Sequence, residues 1–387
     1  MELLEGVTRN YEWGSTSSIP SFLGRSEDGK PWAELWLGAH PSAPALLGAG
    51  QQRLDTVVAV DPVAALGPET TERFGSLPFL LKILAAAEPL SLQAHPSMVQ
   101  AEAGYEREHA AGIALDAFNR SFRDRLHKPE LICALSEFNA LCGFREPDAT
   151  RAVLETIDTH ALDPIRARID AEPNAAGLNK LLEYLLTLSA SDANALVESV
   201  VVACGRPGPD EGAGERALAA ALGARYPGDA GVVTALLLNR VTLQPGEALF
   251  LGPGNLHMYL NGTGVEIMAN SDNVLRGGLT SKHVDIPSLL DVVDAQPIEP
   301  DVQRPAVIDG VALYETPVSE FSFARIEVDG SCTLAAGPAI LICTDGSIDV
   351  GPHTLDRGTA AWLPAADGAI EAAGRGTVYR AGVGQVS

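Results

Sequence analysis

Three short stretches of this chain hold residues able to bind a metal ion and move protons. The first is Leu90-Ser91-Leu92-Gln93-Ala94-His95-Pro96. Side chains alternate along a strand, so Ser91, Gln93 and His95 share one face while Leu90, Leu92 and Ala94 share the other. An amide oxygen and an imidazole two residues apart on that polar face can reach one metal ion, and Pro96 ends the ladder just beyond. The bland reading is a polar sheet edge. The second stretch, His127-Lys128-Pro129-Glu130, stands at the mouth of the apolar run Leu131 to Leu135. Proline disfavours helical backbone at Lys128, so Lys128 and Glu130 point the same way. They form either a structural ion pair or a metal-binding carboxylate beside a substrate-binding cation. The third stretch runs from Gly264 to Lys282, where a strand carrying Glu266 leads into a loop holding Asp272, two amides, Arg276, Gly277-Gly278 and Lys282. A loop so polar, with paired glycines after the arginine, suits an oxyanion better than it suits packing.

A fourth segment connects these. Pro245-Gly246 followed by Gly252-Pro253-Gly254-Asn255-Leu256-His257-Met258-Tyr259-Leu260-Asn261 resembles the second metal-binding motif of the cupins, small antiparallel β-barrels with inward-facing metal ligands. On such a barrel His257 and Tyr259 both face the interior.

Strands and helices must position these groups. Phe79–Leu84 and Leu90–His95 read as strands, and Asp61 to Phe74 as a short helix. Ser97-Met98-Val99-Gln100 is a capping-box pattern that opens a helix through Glu102, Glu106 and Glu108. Composition then changes. From position 147 to about Gly228 the chain is rich in Ala and Leu, with Leu178, Leu181, Leu182, Leu185 and Leu186 on one helical face and a further cap at Ser189. Strands are expected to resume over Gly231–Asn239, and the tail from Tyr314 reads as a second barrel without a ligand set. Trp32, Trp36 and His40 read as structural, as does the lone His353. The expected organisation is a site-bearing β domain over 1–146 and 230–310, a helical insertion over 147–229, and a C-terminal β domain over 311–387.

The 387 residues are 46% hydrophobic and 20% charged, which suits several globular units each with its own core. The formal charge of -23 excludes nucleic acid and anionic membrane as expected partners. Apolar runs are short and interrupted by Lys82 and Glu198, so no membrane span is expected. The acidic start lacks the basic region of a signal peptide, so a cytoplasmic location is expected. Five scattered cysteines, never as CxxC, make a disulfide framework or a cysteine-built zinc site improbable.

With Ser-Leu-Gln-Ala-His-Pro, His-Lys-Pro-Glu-Leu, Gly-Asn-Leu-His-Met-Tyr and Ser-Asp-Asn-Val-Leu-Arg-Gly-Gly-Leu-Thr in this order, the chain resembles the type I mannose-6-phosphate isomerase family over nearly its whole length. The resemblance implies two cupin-like jelly-roll barrels plus an α-helical domain. It implies a divalent metal, zinc first, on Gln93, His95, Glu130 and His257, with Arg276 as the active-site arginine and Lys128, Asp272 and Glu266 in the pocket. Ser91, Tyr259 and Lys282 are the expected substrate-binding residues. The implied reaction interconverts mannose 6-phosphate and fructose 6-phosphate through a cis-enediol, in a monomer. Lys128, Glu266 and Asp272 stay unranked as the base. Two rivals stand beside it: a metal-dependent cupin oxygenase, and a sugar-phosphate sensor without catalysis.

Overall fold

The computed structural model describes residues 1–48 and 50–385. It is mainly antiparallel β with a helical block, as expected, and its site is organised around one long strand, His257–Ala269. The second half of that strand is central. It lies between Phe79–Ala86 and Glu130–Ala134, with Val265 opposite both Ile83 and Cys133. The first half turns to other partners, pairing with Phe138–Phe144 and meeting Gln93 at His257. The change of direction falls at Gly262, whose φ is +125°. A Cβ there would stand 2.7 Å from Glu137 O and from Phe138 Cα, so only glycine fits the corner. Strand Leu275–Gly278 then pairs with Leu92–Ala94, placing Arg276 opposite Gln93. His95 lies just past that strand, which is shorter than the Leu90–His95 expected; Phe79–Ala86 is longer than its forecast by two residues.

The helices from Pro147 to Ala235 pack Leu178, Leu181, Leu182 and Leu185 into one core with Leu92, Leu256 and Leu275, while Leu186 stays at its margin. No single helix among the described residues is long and apolar enough to cross a membrane. Two expectations fail here. Gly231–Ala235 is helix, and strand begins only at Leu238. Its β-branched run is buried on every side as the last helix of the block, so packing overrides propensity. Asp61 to Phe74 holds two helices, Pro62–Leu66 and Pro68–Phe74, broken at Gly67 with φ +81°.

The C-terminal strands form a nine-stranded sheet that also takes in the N-terminal strand Glu2–Glu5, with Glu2 opposite Trp362. Segment 1–146 thus contributes to both sheets.

The capping box at Ser97 and Gln100 is present, and the helix Met98–Ala110 carries a buried acid, Glu108. Its carboxylate accepts the N–H groups of Ser121 and Phe122 at 3.0 and 2.9 Å and pairs with Arg120 at 2.8 Å. Glu108 thereby pins the loop that carries Arg123 and leads to Lys128. Glu108→Ala leaves the buried Arg120 guanidinium with its carbonyl partners but no counter-ion, and leaves two N–H groups unpaired, and should cost about 3 kcal/mol in a urea-unfolding measurement. A loss below about 1 kcal/mol would mean the loop is held by other contacts.

Candidate metal centre and active site

His95, Glu130 and His257 converge from three different strands or strand ends, and each is 1–2% exposed. Their ligand-capable atoms all lie within 4.8 Å of one another. His95 Nδ1 donates to Asn273 O at 2.7 Å and His257 Nδ1 donates to Asn255 O at 2.9 Å. Carbonyls only accept, so both rings carry their proton on Nδ1 and present the Nε2 lone pair inward. Neither Nε2 has a hydrogen-bond partner among the described residues. Burial, then His95, lowers the His257 pKa to about 4, and burial with the Lys128 charge lowers that of His95. Two neutral imidazoles face Glu130 Oε1 and Oε2 at 3.5 and 3.7 Å. Burial opposes ionisation of Glu130, yet Lys128, 2.6 Å away, holds its carboxyl well below the usual range. Buried orphaned lone pairs around an anionic carboxylate fit a divalent cation and little else. Gln93, opposite both His257 and Arg276 in the ladders, stands beside them.

The centre opens onto a cavity of about 1480 Å³. Ser91, Gln93, Lys128, Glu130, Tyr259, Glu266, Asp272, Arg276 and Lys282 all line it, so the residues expected from the sequence come together. The buried Tyr259 hydroxyl also has no hydrogen-bond partner among the described residues. Asp272 is more exposed, and its Oδ1 is 3.5 Å from His40 Nε2. His40, read above as structural, is 3% exposed, and its Nδ1 shares a hydrogen bond with Ser42 Oγ at 2.8 Å. Burial lowers its pKa although Asp272 opposes this.

A family profile described as phosphomannose isomerase type I, catalytic domain, matches residues 1–147. The mannose-6-phosphate isomerase of Escherichia coli K12 is 35% identical over 393 aligned residues, 98% of this chain and 99% of its own. The chain belongs to the type I phosphomannose isomerase family. Its Bos taurus relative is 32% identical over 91% of this chain and 89% of its own. The crystal structure of a zinc-bound mannose 6-phosphate isomerase matches with a TM-score of 0.90 at 34% identity, covering 99% of each chain. The apo form from Salmonella typhimurium matches with the same score and identity.

Three features of this chain escaped the sequence reading. Lys82, taken only as a break in an apolar run, is buried and pairs with Glu266 at 2.9 Å and Glu34 at 3.5 Å. Burial disfavours its charge, but the two carboxylates overcome this and raise its pKa. Glu266 is thus committed to an ion pair inside the wall. Arg123 joins Arg276 and Lys282 on the cavity, and among the described residues none of the three forms an ion pair. Burial and then the neighbouring positive charge lower both the Arg276 and Lys282 pKa values. Lastly, Asn273 is fully buried and works as a hub. Its Oδ1 accepts the N–H of Arg123 at 2.7 Å, its Nδ2 donates to the carbonyls of Asp124 and Leu126 at 2.9 Å each, and its own carbonyl orients His95. A lysine in an otherwise fully buried strand was the one signal available for Lys82.

Proposed function

We propose that this chain interconverts mannose 6-phosphate and fructose 6-phosphate using one zinc ion held by Gln93, His95, Glu130 and His257. The observation that carries the reading is the meeting, in one cavity, of an anionic pocket with orphaned imidazole lone pairs and a cluster of three unpaired cations. In a chain with 50 acidic and 27 basic residues, three cations without carboxylate partners mark a site for an anion.

When bound, the metal polarises the sugar's carbonyl and hydroxyl oxygens as a Lewis acid. The chain's own residues supply the rest. Aldose becomes ketose when a base takes the proton from C2, the cis-enediol forms, and a proton is returned to C1 while the hydroxyl proton moves from O2 to O1. Lys128 and Asp272 both line the cavity, and Asp272 has His40 behind it as a proton partner. Glu266 keeps Lys82 charged within the wall. Arg276 stabilises the negative charge that develops on the enediolate oxygens, and Lys282 with Arg123 holds the phosphate. Ser91 and Tyr259 contribute hydroxyls to the sugar. We read the protein as a cytoplasmic monomer, and its formal charge of -23 suits neither nucleic acid nor anionic membrane as a partner.

The test is turnover by the zinc-loaded protein. Mannose 6-phosphate should be converted with a kcat/KM roughly 10²- to 10³-fold above that of mannose, the value of about two charge-assisted hydrogen bonds to the phosphate. Comparable values for the two sugars would remove the phosphate role of Lys282 and Arg123.

A further inference from the structure

The helical block holds none of the site residues named so far, yet it reaches the cation loop through the side chain of Asp229. Asp229 follows the helix Ala213–Arg225, is half-buried and lines the cavity. Its Oδ2 accepts the Leu279 N–H at 2.7 Å and its Oδ1 accepts the Gly231 N–H at 2.8 Å. Leu279 is 1% exposed and has a φ of +55°, a left-handed backbone that a leucine adopts only under constraint. Among the described residues the only other non-glycines with positive φ are Gln51 and Asp309, and neither lines this cavity. Gly278, just before, has a φ of +121°, and a Cβ there would stand 2.9 Å from Asp229 Oδ1 and 3.3 Å from Gly231 Cα. Two consecutive positive-φ residues therefore turn the chain between the strand bearing Arg276 and the loop bearing Lys282. Thr280 Oγ1 then accepts the Lys282 N–H at 3.1 Å and closes the turn. Strained backbone persists only where its surroundings over-determine it. Here those surroundings are the burial of Leu279 and the Asp229 carboxylate.

We propose that Asp229 is a positioning residue for anion recognition: by capping Leu279 it fixes Lys282 relative to Arg276, and so makes the helical block part of the active site. The inference rests on the reading that these cations hold the anionic groups of the substrate. Its ligand class is a phosphomonoester, or inorganic phosphate as the simplest member.

Inorganic phosphate is the probe, titrated into zinc-loaded protein by calorimetry and used as a competitive inhibitor of turnover. Asp229→Asn keeps the side chain's shape but replaces one acceptor oxygen with a donor, so one of its two backbone N–H partners loses its bond. The phosphate Kd and the KM for mannose 6-phosphate should each rise about tenfold, with zinc content still one per chain. Leu279→Gly removes the strain that the carboxylate restrains, and in that background Asp229→Asn should cost less than about threefold. A merely structural aspartate predicts the same cost in both backgrounds, or a lower melting temperature with phosphate Kd unchanged; either result overturns the proposal. If Asp229→Asn gives too little folded protein, Gly231→Ala places a Cβ 2.9 Å from both Asp229 Oδ1 and Leu279 Cγ, displacing the same carboxylate without removing its charge. An unchanged phosphate Kd in that variant also overturns it. A wild type that binds phosphate but isomerises nothing removes the proposed activity and leaves the Asp229 comparison in force.

Discussion

His257→Ala is expected to lose the bound metal and to lower kcat/KM by roughly 10³-fold or more, the several kcal/mol that a Lewis acid contributes to such a reaction. The expectation rests on the buried Nε2 atoms of His95 and His257, which face Glu130 with no hydrogen bond of their own. Leaving two such groups unsatisfied costs free energy unless a cation completes them. A purely structural cluster would behave differently. It would show no metal in elemental analysis of the wild type, and His257→Ala would relieve one orphan and leave turnover nearly intact. Chelation of the wild type should abolish activity, and added zinc should restore it. Full activity in demonstrably metal-free protein would sink the site as assigned.

Arg276→Lys should keep fold and metal but lose about 10²-fold in kcat. Arg276 is half-buried on the strand Leu275–Gly278, opposite Gln93, and faces the cavity without an ion-pair partner among the described residues. A planar guanidinium can donate two parallel hydrogen bonds to adjacent enediolate oxygens, whereas an ammonium is a flexible point charge on a shorter reach. If Arg276 served only the overall charge of the pocket, lysine would substitute with little change, because the net charge is conserved. Steady-state kinetics with zinc content and melting temperature measured on the same preparation separates the two, and an unaltered kcat takes Arg276 out of the chemistry.

What the sequence made legible was local. Gln93 and His95, Lys128 and Glu130, and His257 and Tyr259 are pairs two residues apart, and strand alternation alone puts each pair on one face; the 2.6 Å contact of Lys128 with Glu130 follows from Pro129 between them. The helical face of Leu178 to Leu185 was legible for the same reason. What stayed hidden depends on contacts between distant segments. Lys82 meets Glu266 across 184 positions, Arg123 meets Asn273 across 150, and Asp229 meets Leu279 across 50. Nothing in the local pattern around Asp229 distinguishes it from the other acids of a Gly/Pro-rich turn. The mistaken strand over Gly231–Ala235 has a matching cause. Val232, Val233 and Thr234 favour strand when half-exposed, and only their complete burial among neighbouring helices allows the helix.

The pairing of Glu2–Glu5 with Ala360–Leu363 and Leu46–Leu47 also bears on how the chain is made. The partner in the C-terminal sheet lies more than 350 residues downstream, so at about 5–20 residues per second of synthesis the first strand waits roughly 20–70 s for it. Leu46–Leu47 can cover one of its edges early, but during that wait the other edge is open, and an open strand edge is the element most prone to pair with the wrong chain. Its sequence, Glu2-Leu3-Leu4-Glu5, brackets two leucines with two carboxylates, the gatekeeper arrangement that discourages such pairing. Closing so long a loop adds a late, high-contact-order step to folding. The site-bearing sheet can therefore be assembled well before the molecule as a whole is closed.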